Sequence, residues 1–489
     1  MSMMQHVFQT IRYFALVALV WTAFPAAGWA QNAPAGGSVD PADILRLAET
    51  FEQANRACVG LSVVDLRTGE TVAVLHGGEG LIPASNQKIL TSAFALRRLG
   101  AQGTFATSVY AAGDDVIVAG QFDPLLGDPN LAKARGQSIY AELDRWVGAI
   151  RQAYGEAIPG GLILACRTDP TTFRPPSWER RHHDRWFGAP VADLSFHDNC
   201  FDVTFVADAG AIRPVVTPAS RFLRVVNELQ YQPKGRHLWR LRESPDSATL
   251  TLTGQICGAA GDPLSVPMLD PRITLGRVLA DRVLAAGVRV GGKLRILPAG
   301  QVSLEQARLL ARSESTLADV LKRANKRSLN LAAECMLLRA GDGTWDGSAK
   351  QMHDALVEQY QLDSRTLVIQ DGSGLSRGNR VSPDDMTRLL VALNRGDVAE
   401  MFLASLPRNG VDGSLRRRLR QEAYRGRIAA KTGTLAGVRT LSGYILDAQG
   451  RPAVAFAILA NNLGGNAQHR ANQLQDQICV ELIQAVDSR

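Results

Sequence analysis

Directly after Asp40 the apolar residues recur at helical spacing: Ile44, Leu45, Leu47, Ala48 and Phe51 share one side of Pro41–Asn55, which predicts a helix. The period then changes. Cys58–Val64 reads as a strand, Arg67-Thr68-Gly69 as a turn and Thr71–Leu75 as the hairpin partner. Ile82-Pro83-Ala84 leads into Ser85, and Gln87–Leu99 is rich in good helix formers until it stops at Gly100. Ser85 therefore falls at or just before a helix N-terminus. From about residue 105 to about 305 the pattern becomes short β-rich runs between Gly/Pro/Asp-rich turns, among them Val116–Gly120, Leu162–Ala165, Asp202–Val206 and Ala248–Thr253. Helical spacing returns at Leu317–Asn325, Leu329–Arg339, Ala349–Tyr360 and Pro383–Leu393. Strands follow at Arg427–Lys431, Leu441–Asp447 and Ala453–Leu459, then a last helix near Gln468–Val486. The expected fold class is α+β. One discontinuous domain over 39–105 and 305–489 is interrupted by a β-rich insert over 106–304, expected as two subdomains.

The first thirty residues have another character. Arg12, the apolar run Tyr13–Phe24 and the small residues up to Ala30 match a secretory signal cleaved after Ala30. An apolar run of about 12 residues is too short to span a bilayer, which needs roughly 20. Residues 31–38 read as a flexible lead-in. The expected mature protein is exported, with at most peripheral membrane contact. The net charge of +7 comes from 54 basic and 47 acidic residues that are interspersed, so no basic run argues for nucleic acid. The cysteines Cys58, Cys166, Cys200, Cys257, Cys335 and Cys479 are compatible with disulfides in an oxidising compartment, and their pairing is open. His182-His183 with His197 lacks the spacing of a helical metal site and no Cys or acidic cluster completes it, so no metal is expected.

The candidate chemistry lies in three short motifs: Ser85-Asn86-Gln87-Lys88, Ser328-Leu329-Asn330 and Lys431-Thr432-Gly433. Each is weak alone. Their order and the element expected at each make the signal. A Ser at a helix start and a Lys one turn later share a helical face, so an amine can reach the hydroxyl. Serine is a poor nucleophile at its free pKa, and a Lys kept neutral by burial and neighbouring cations can activate it. Ser328 and Asn330 fall in a loop between two helices, from which Ser328 can relay a proton and Asn330 can hold a substrate backbone. Lys431 and Thr432, at a strand end, make a carboxylate site. The backbone N–H groups of Ser85 and Thr434 are the expected oxyanion donors.

With these motifs in hand, the chain resembles the low-molecular-mass class C penicillin-binding proteins of the D-alanyl-D-alanine carboxypeptidase/endopeptidase type, peptidase family S13. Further matching stretches are Gly127-Asp128-Pro129, Gly188-Ala189-Pro190-Val191, Ala333-Glu334, Asp371 to Arg377, Leu406-Pro407, Gly410 to Gly413 and Asn461-Asn462. The long gap between Ser85 and Ser328 is typical of that family, which places extra domains there. The resemblance implies a penicillin-binding-protein/β-lactamase-like transpeptidase domain, an antiparallel sheet flanked by helices. It implies no cofactor, peptidoglycan stem peptides as substrate and β-lactams as covalent inhibitors. Ser85 would be acylated by the penultimate D-alanine, and Lys431, Thr432, Gly433 and Thr434 would hold the terminal carboxylate. Arg377 would help bind a diaminopimelate side chain. Leu329 replaces a polar residue of the commoner family form, which is expected to tune activity. Two other classes remain: a β-lactamase or esterase with the same Ser/Lys apparatus, and a non-catalytic cell-wall binding protein. No G-x-S-x-G surrounds Ser85, which argues against an α/β-hydrolase.

Overall fold

The computed structural model describes residues 40–208, 211–232 and 234–488. The expected signal segment 1–30 and lead-in 31–38 lie outside the described residues. Among the described residues no helix is long and apolar enough to cross a membrane.

The helix Pro41–Asn55 starts where Asp40 accepts from the Ala42 amide at 2.9 Å, with Pro41 in the first turn. It covers one face of a five-stranded antiparallel sheet. The strand order is Ile428–Leu435, Val438–Leu446, Pro452–Asn461, Cys58–Asp65 and Thr71–Leu75. The chain's two ends thus build one sheet, with Cys58 opposite Asn461 and Asp65 opposite Val454. Ile44 and Ala48 pack with Ile478 and Leu482 of the last helix, Ala467–Asp487, against Leu61, Val63 and Ile458. The opposite face is covered by the helices Gln87–Leu99, Leu317–Lys326, Asn330–Ala340, Trp345–Tyr360 and Pro383–Leu393, which bury Phe94, Leu337, Leu390 and Leu459 together. Because both faces are covered, the strand Pro452–Asn461 is buried at eight consecutive residues and loses the polar alternation of a one-sided strand. Gln87–Leu99 is likewise buried from Gln87 to Leu96, so a lysine on it enters the protein interior.

The insert leaves and returns through Thr104–Ala112 and Arg308–Thr316, paired antiparallel with Thr104 opposite Thr316. They form one side of a second five-stranded sheet completed by Asp115–Gly120, Leu162–Cys166 and Arg295–Pro298. The β-rich reading of this region overlooked three helices, Pro129–Arg135, Ala141–Tyr154 and Pro271–Ala285. Two of them supply Trp146, Ile150, Leu275 and Leu279 to the core over this sheet. A further core joins two three-stranded sheets over Phe201, Phe205, Leu250, Leu252 and Met268.

Buried polar contacts attach the insert to the catalytic side. Arg323, on the helix that precedes Ser328, is buried and pairs with Asp128 and with Asp198, the latter at 2.8 Å. Trp178 Nε1 donates to Asp371 Oδ2 at 2.9 Å, and Trp345 Nε1 donates to the Thr172 carbonyl at 2.7 Å.

Candidate active site

Ser85 sits in the single 3-10 turn Ala84–Asn86 that leads directly into the helix Gln87–Leu99. Ala84 is left-handed at φ 46°, and Gly374 of a facing loop comes so close that a side chain there would meet the Ala84 carbonyl. One turn on, Lys88 is fully buried. Its Nζ donates to Asn330 Oδ1 at 2.7 Å and to the Ser373 carbonyl at 2.8 Å, and lies 3.3 Å from Ser85 Oγ. Two acceptors thus take two N–H bonds. The lone pair of a neutral amine is left for the direction of the Ser85 hydroxyl. Burial pulls the Lys88 pKa down to about 8, against the opposing pull of Glu334 and Asp371.

Those two carboxylates build the loop that holds Lys88. Glu334, buried on the helix Asn330–Ala340, accepts from the Gly372 and Ser373 amides at 2.8 Å each, which turns the Ser373 carbonyl toward Lys88. Burial and the neighbouring Asp371 push the Glu334 pKa up to about 8. Asp371 accepts from Trp178 Nε1, from the Gly374 and Ser376 amides at 2.7 Å each, and from Asn379 Nδ2 at 2.8 Å. The loop is therefore fixed by buried acceptors, not by packing of apolar side chains.

Ser328 has a left-handed backbone, φ 57°, and its hydroxyl does not cap the following helix, whose first flanking residue is Leu329. It accepts instead from Lys431 Nζ at 3.0 Å, while the same ammonium or amine donates to the Thr432 carbonyl at 2.7 Å. Lys431 is fully buried, and burial together with the charge of Lys88 holds its pKa well below the ordinary lysine value. Asn330 Nδ2 donates to the Phe187 carbonyl at 2.8 Å, so a loop of the insert forms a wall of the cleft.

Lys431 belongs to the edge strand Ile428–Leu435. Ile428 and Ala430 donate outward, to Asn409 Oδ1 at 2.8 Å and the Pro407 carbonyl at 3.1 Å. Alternation then directs the Thr432 and Thr434 N–H groups to the same open edge. Thr432 Oγ1 is 2.8 Å from Ser414 Oγ. Gly433 is required where the strand crosses the serine turn: a Cβ there would meet Thr440 Oγ1 and lie 2.8 Å from the Pro83 carbonyl. Thr440 Oγ1 bonds that carbonyl at 2.8 Å and Asn86 Oδ1 at 2.6 Å. The turn that carries Ser85 thus lies beside the Lys-Thr-Gly strand. Arg377 is exposed and donates through Nη1 to the Ala436 carbonyl at 2.8 Å, just past Thr434. With Phe187, His182, Arg185 and Leu435 it lines a cavity of about 310 Å³.

All three motifs therefore converge. Sequence reasoning gave no role to Glu334, Asp371, Ser373, Thr440 or Ser414. The first three stand in stretches quoted for the resemblance, but the chemistry that makes them matter is a contact across long sequence distance. His182 stands edge-on to Phe187 at 5.7 Å, and the buried His197 has Nδ1 2.9 Å from the Cys200 carbonyl. The six cysteines are free thiols in this structure.

Comparison with known proteins adds four findings. The profile of the D-Ala-D-Ala carboxypeptidase 3 (S13) family matches residues 43–482. A D-alanyl-D-alanine carboxypeptidase of Actinomadura sp. is 30% identical over 464 residues, covering 87% of this chain and 81% of the relative. One from Haemophilus influenzae is 25% identical over 421 residues, covering 82% and 85%. The crystal structure of penicillin binding protein 4 from Haemophilus influenzae superposes with a TM-score of 0.72 at 21% identity, covering 89% of this chain and 99% of that one. That last match speaks for the fold.

Proposed function

The chain belongs to the D-Ala-D-Ala carboxypeptidase 3 (S13) family and is a serine-type D-alanyl-D-alanine carboxypeptidase, and from that premise we propose how its residues divide the work. Ser85 is the nucleophile. Lys88, as a neutral amine held by Asn330 and Ser373, takes the hydroxyl proton as Oγ attacks the carbonyl of the penultimate D-alanine. The tetrahedral oxyanion is met by the backbone N–H groups of Ser85 and Thr434. Lys431 and Ser328 pass a proton to the departing amine, which is D-alanine or the amino end of a cross-linked peptide. Water then hydrolyses the ester on Ser85. Thr432, with Gly433 keeping the strand close, and Thr434 hold the terminal carboxylate. Arg377 binds the side chain of the stem residue that precedes the reacting D-alanine.

The single observation that carries this reading is the position of Lys88 Nζ, buried between Ser85, Asn330 and Ser373. Glu334 and Asp371 are positioning residues, since they hold the loop that presents the Ser373 carbonyl. We propose further that 39–105 and 305–489 form the catalytic domain around an insert of two subdomains. The protein would work in the periplasm on peptidoglycan stem peptides, with endopeptidase as well as carboxypeptidase action, and would be acylated by β-lactams. A crystal of the Haemophilus relative holds a β-lactam, which supports the last point.

Incubation with a fluorescent penicillin followed by a denaturing gel tests the reading. A persistent label on the wild type, and a loss of D-alanine release of about 10⁴ or more in Ser85→Ala, are expected. Rapid penicillin turnover without a trapped label would favour a β-lactamase. A wild type that releases no more D-alanine than the alanine variant would favour a binding protein.

A further inference from the structure

The insert carries a charged surface made of residues that the cleft does not use. Strands Leu238–Glu243, Thr249–Ile256 and Arg224–Tyr231 lie in that order in one three-stranded sheet. One face closes a core: Leu250, Leu252 and Ile256 are buried with Phe201 and Phe205, and Trp239 stands edge-on to Phe205 at 5.3 Å. Because side chains alternate, the opposite face receives Thr249, Thr251 and Thr253 from the middle strand and Arg240 and Arg242 from its neighbour. The register sets Arg242 opposite Thr251, Arg240 opposite Thr253, and Arg224 beside Thr249 on the other side. The result is a row of hydroxyls flanked by guanidiniums.

The three arginines are exposed, and among the described residues none of them enters an ion pair. Glu228, beside Thr253, is the acid of this face, and the loop joining two of the strands adds Lys234 and Arg236, both exposed. Unpaired guanidiniums on a flat, hydroxyl-lined sheet match a hydrated polymer that repeats carboxylates along its length. A bilayer would call for apolar side chains to insert, and on this face they are confined to Leu238 and Val226.

We infer that the outer face of this sheet, Arg224, Arg240 and Arg242 with the threonine row, is a docking site for polymeric peptidoglycan. The inference rests on peptidoglycan being the substrate. Its carboxylates are bound by the arginines and its sugars by the threonine hydroxyls, while the cleft works on one stem at a time. Holding the polymer raises the local concentration of stems without any new contact in the cleft. The face thereby confers a preference for the assembled wall over free peptides.

The test is co-sedimentation of the mature protein with insoluble purified peptidoglycan, at low salt and at about 0.5 M salt, beside D-alanine release from a soluble peptide. Arg224→Glu/Arg240→Glu/Arg242→Glu should weaken sedimentation at least about tenfold, and salt should do the same to the wild type. Peptide turnover and penicillin capture should stay at wild-type level, which also reports that the variant is folded. The neutral triple variant to Gln should lie between, and covers the case in which three reversed charges disturb the sheet. Wild-type sedimentation of both variants overturns the inference. So does binding to vesicles of anionic phospholipid in place of the polymer. Loss of peptide turnover by the wild type would instead count against the catalytic reading.

Discussion

The cleft and the outer sheet of the insert are both cationic, yet they treat positive charge in opposite ways. In the cleft Lys88 and Lys431 are fully buried, and desolvation lowers the pKa of each, so the charge is made removable. On the sheet Arg224, Arg240 and Arg242 face solvent, where the planar guanidinium forks are open to an anion. Burial makes a lysine fit for proton transfer. Exposure keeps an arginine fit for holding an anion. Positively charged side chains thus serve chemistry in one region and adhesion in the other, and the surroundings decide which.

Arg323 is the strongest way to break the comparison, because it is a buried arginine paired with Asp128 and Asp198. Arg323→Met leaves those carboxylates without a cation, and urea unfolding should register a loss of about 3 kcal/mol. The loss should shrink in acid, where Asp198 protonates. Asp198 helps here, since burial and Asp128 hold it above the ordinary carboxylate range. Next comes Gly433→Ala, which sets a methyl group against the serine turn. It should lower kcat/KM by about a hundredfold and also lower the unfolding temperature, since the buried Thr440 hydroxyl has to move.

Glu334→Gln sharpens the contrast by changing one charge beside Lys88. Lys88 faces Glu334, Asp371 and Lys431, and Glu334 favours its ammonium form. Without that carboxylate the Lys88 pKa falls below about 8, so the acid limb of kcat/KM, which reports formation of the neutral amine, should move to lower pH by about a unit. Stability responds with its own sign. Glu334 is raised from 4.5 to about 8, so it contributes stability below pH 4.5 that is lost as pH rises toward 8. The melting temperature of Glu334→Gln should therefore decline less over that window than the wild type's. The smallest effect belongs to Arg377→Ala, whose exposed side chain makes one backbone bond: KM for stem peptides should rise a few-fold with kcat unchanged.

How far the sequence reveals this arrangement depends on the distance over which each feature is determined. Pro41–Asn55, Thr71–Leu75 and Pro383–Leu393 coincide with observed elements, because Asp40 and Ser382 cap the helices and Pro41 and Pro383 open them. Ser85 and Lys88 are legible because one helical turn brings them together. The helix Ala141–Tyr154 was equally local, with Leu143, Trp146, Val147 and Ile150 at helical spacing, and was lost only among the surrounding β-rich runs. Pro271–Ala285 is harder, since it is buried on more than one side and has little polar face to set a period. Glu334 carries no local sign at all, since its meaning lies in two loop amides and a lysine that approach from other parts of the chain. Asp371 bonds within its own loop, to the Gly374 and Ser376 amides and to Asn379, and only its contact with Trp178 spans a long sequence distance. The parallel pairing of Arg224–Tyr231 with Thr249–Ile256, on which the outer face depends, is likewise invisible to alternation within either strand.

The account stands on Ser85 being the atom that reacts, and mass spectrometry of the protein after penicillin capture addresses that most directly. A proteolytic digest should carry the penicilloyl mass on the peptide that contains Ser85, and on no peptide of the Ser85→Ala variant. An adduct on any other residue, or one that survives the substitution, would contradict it.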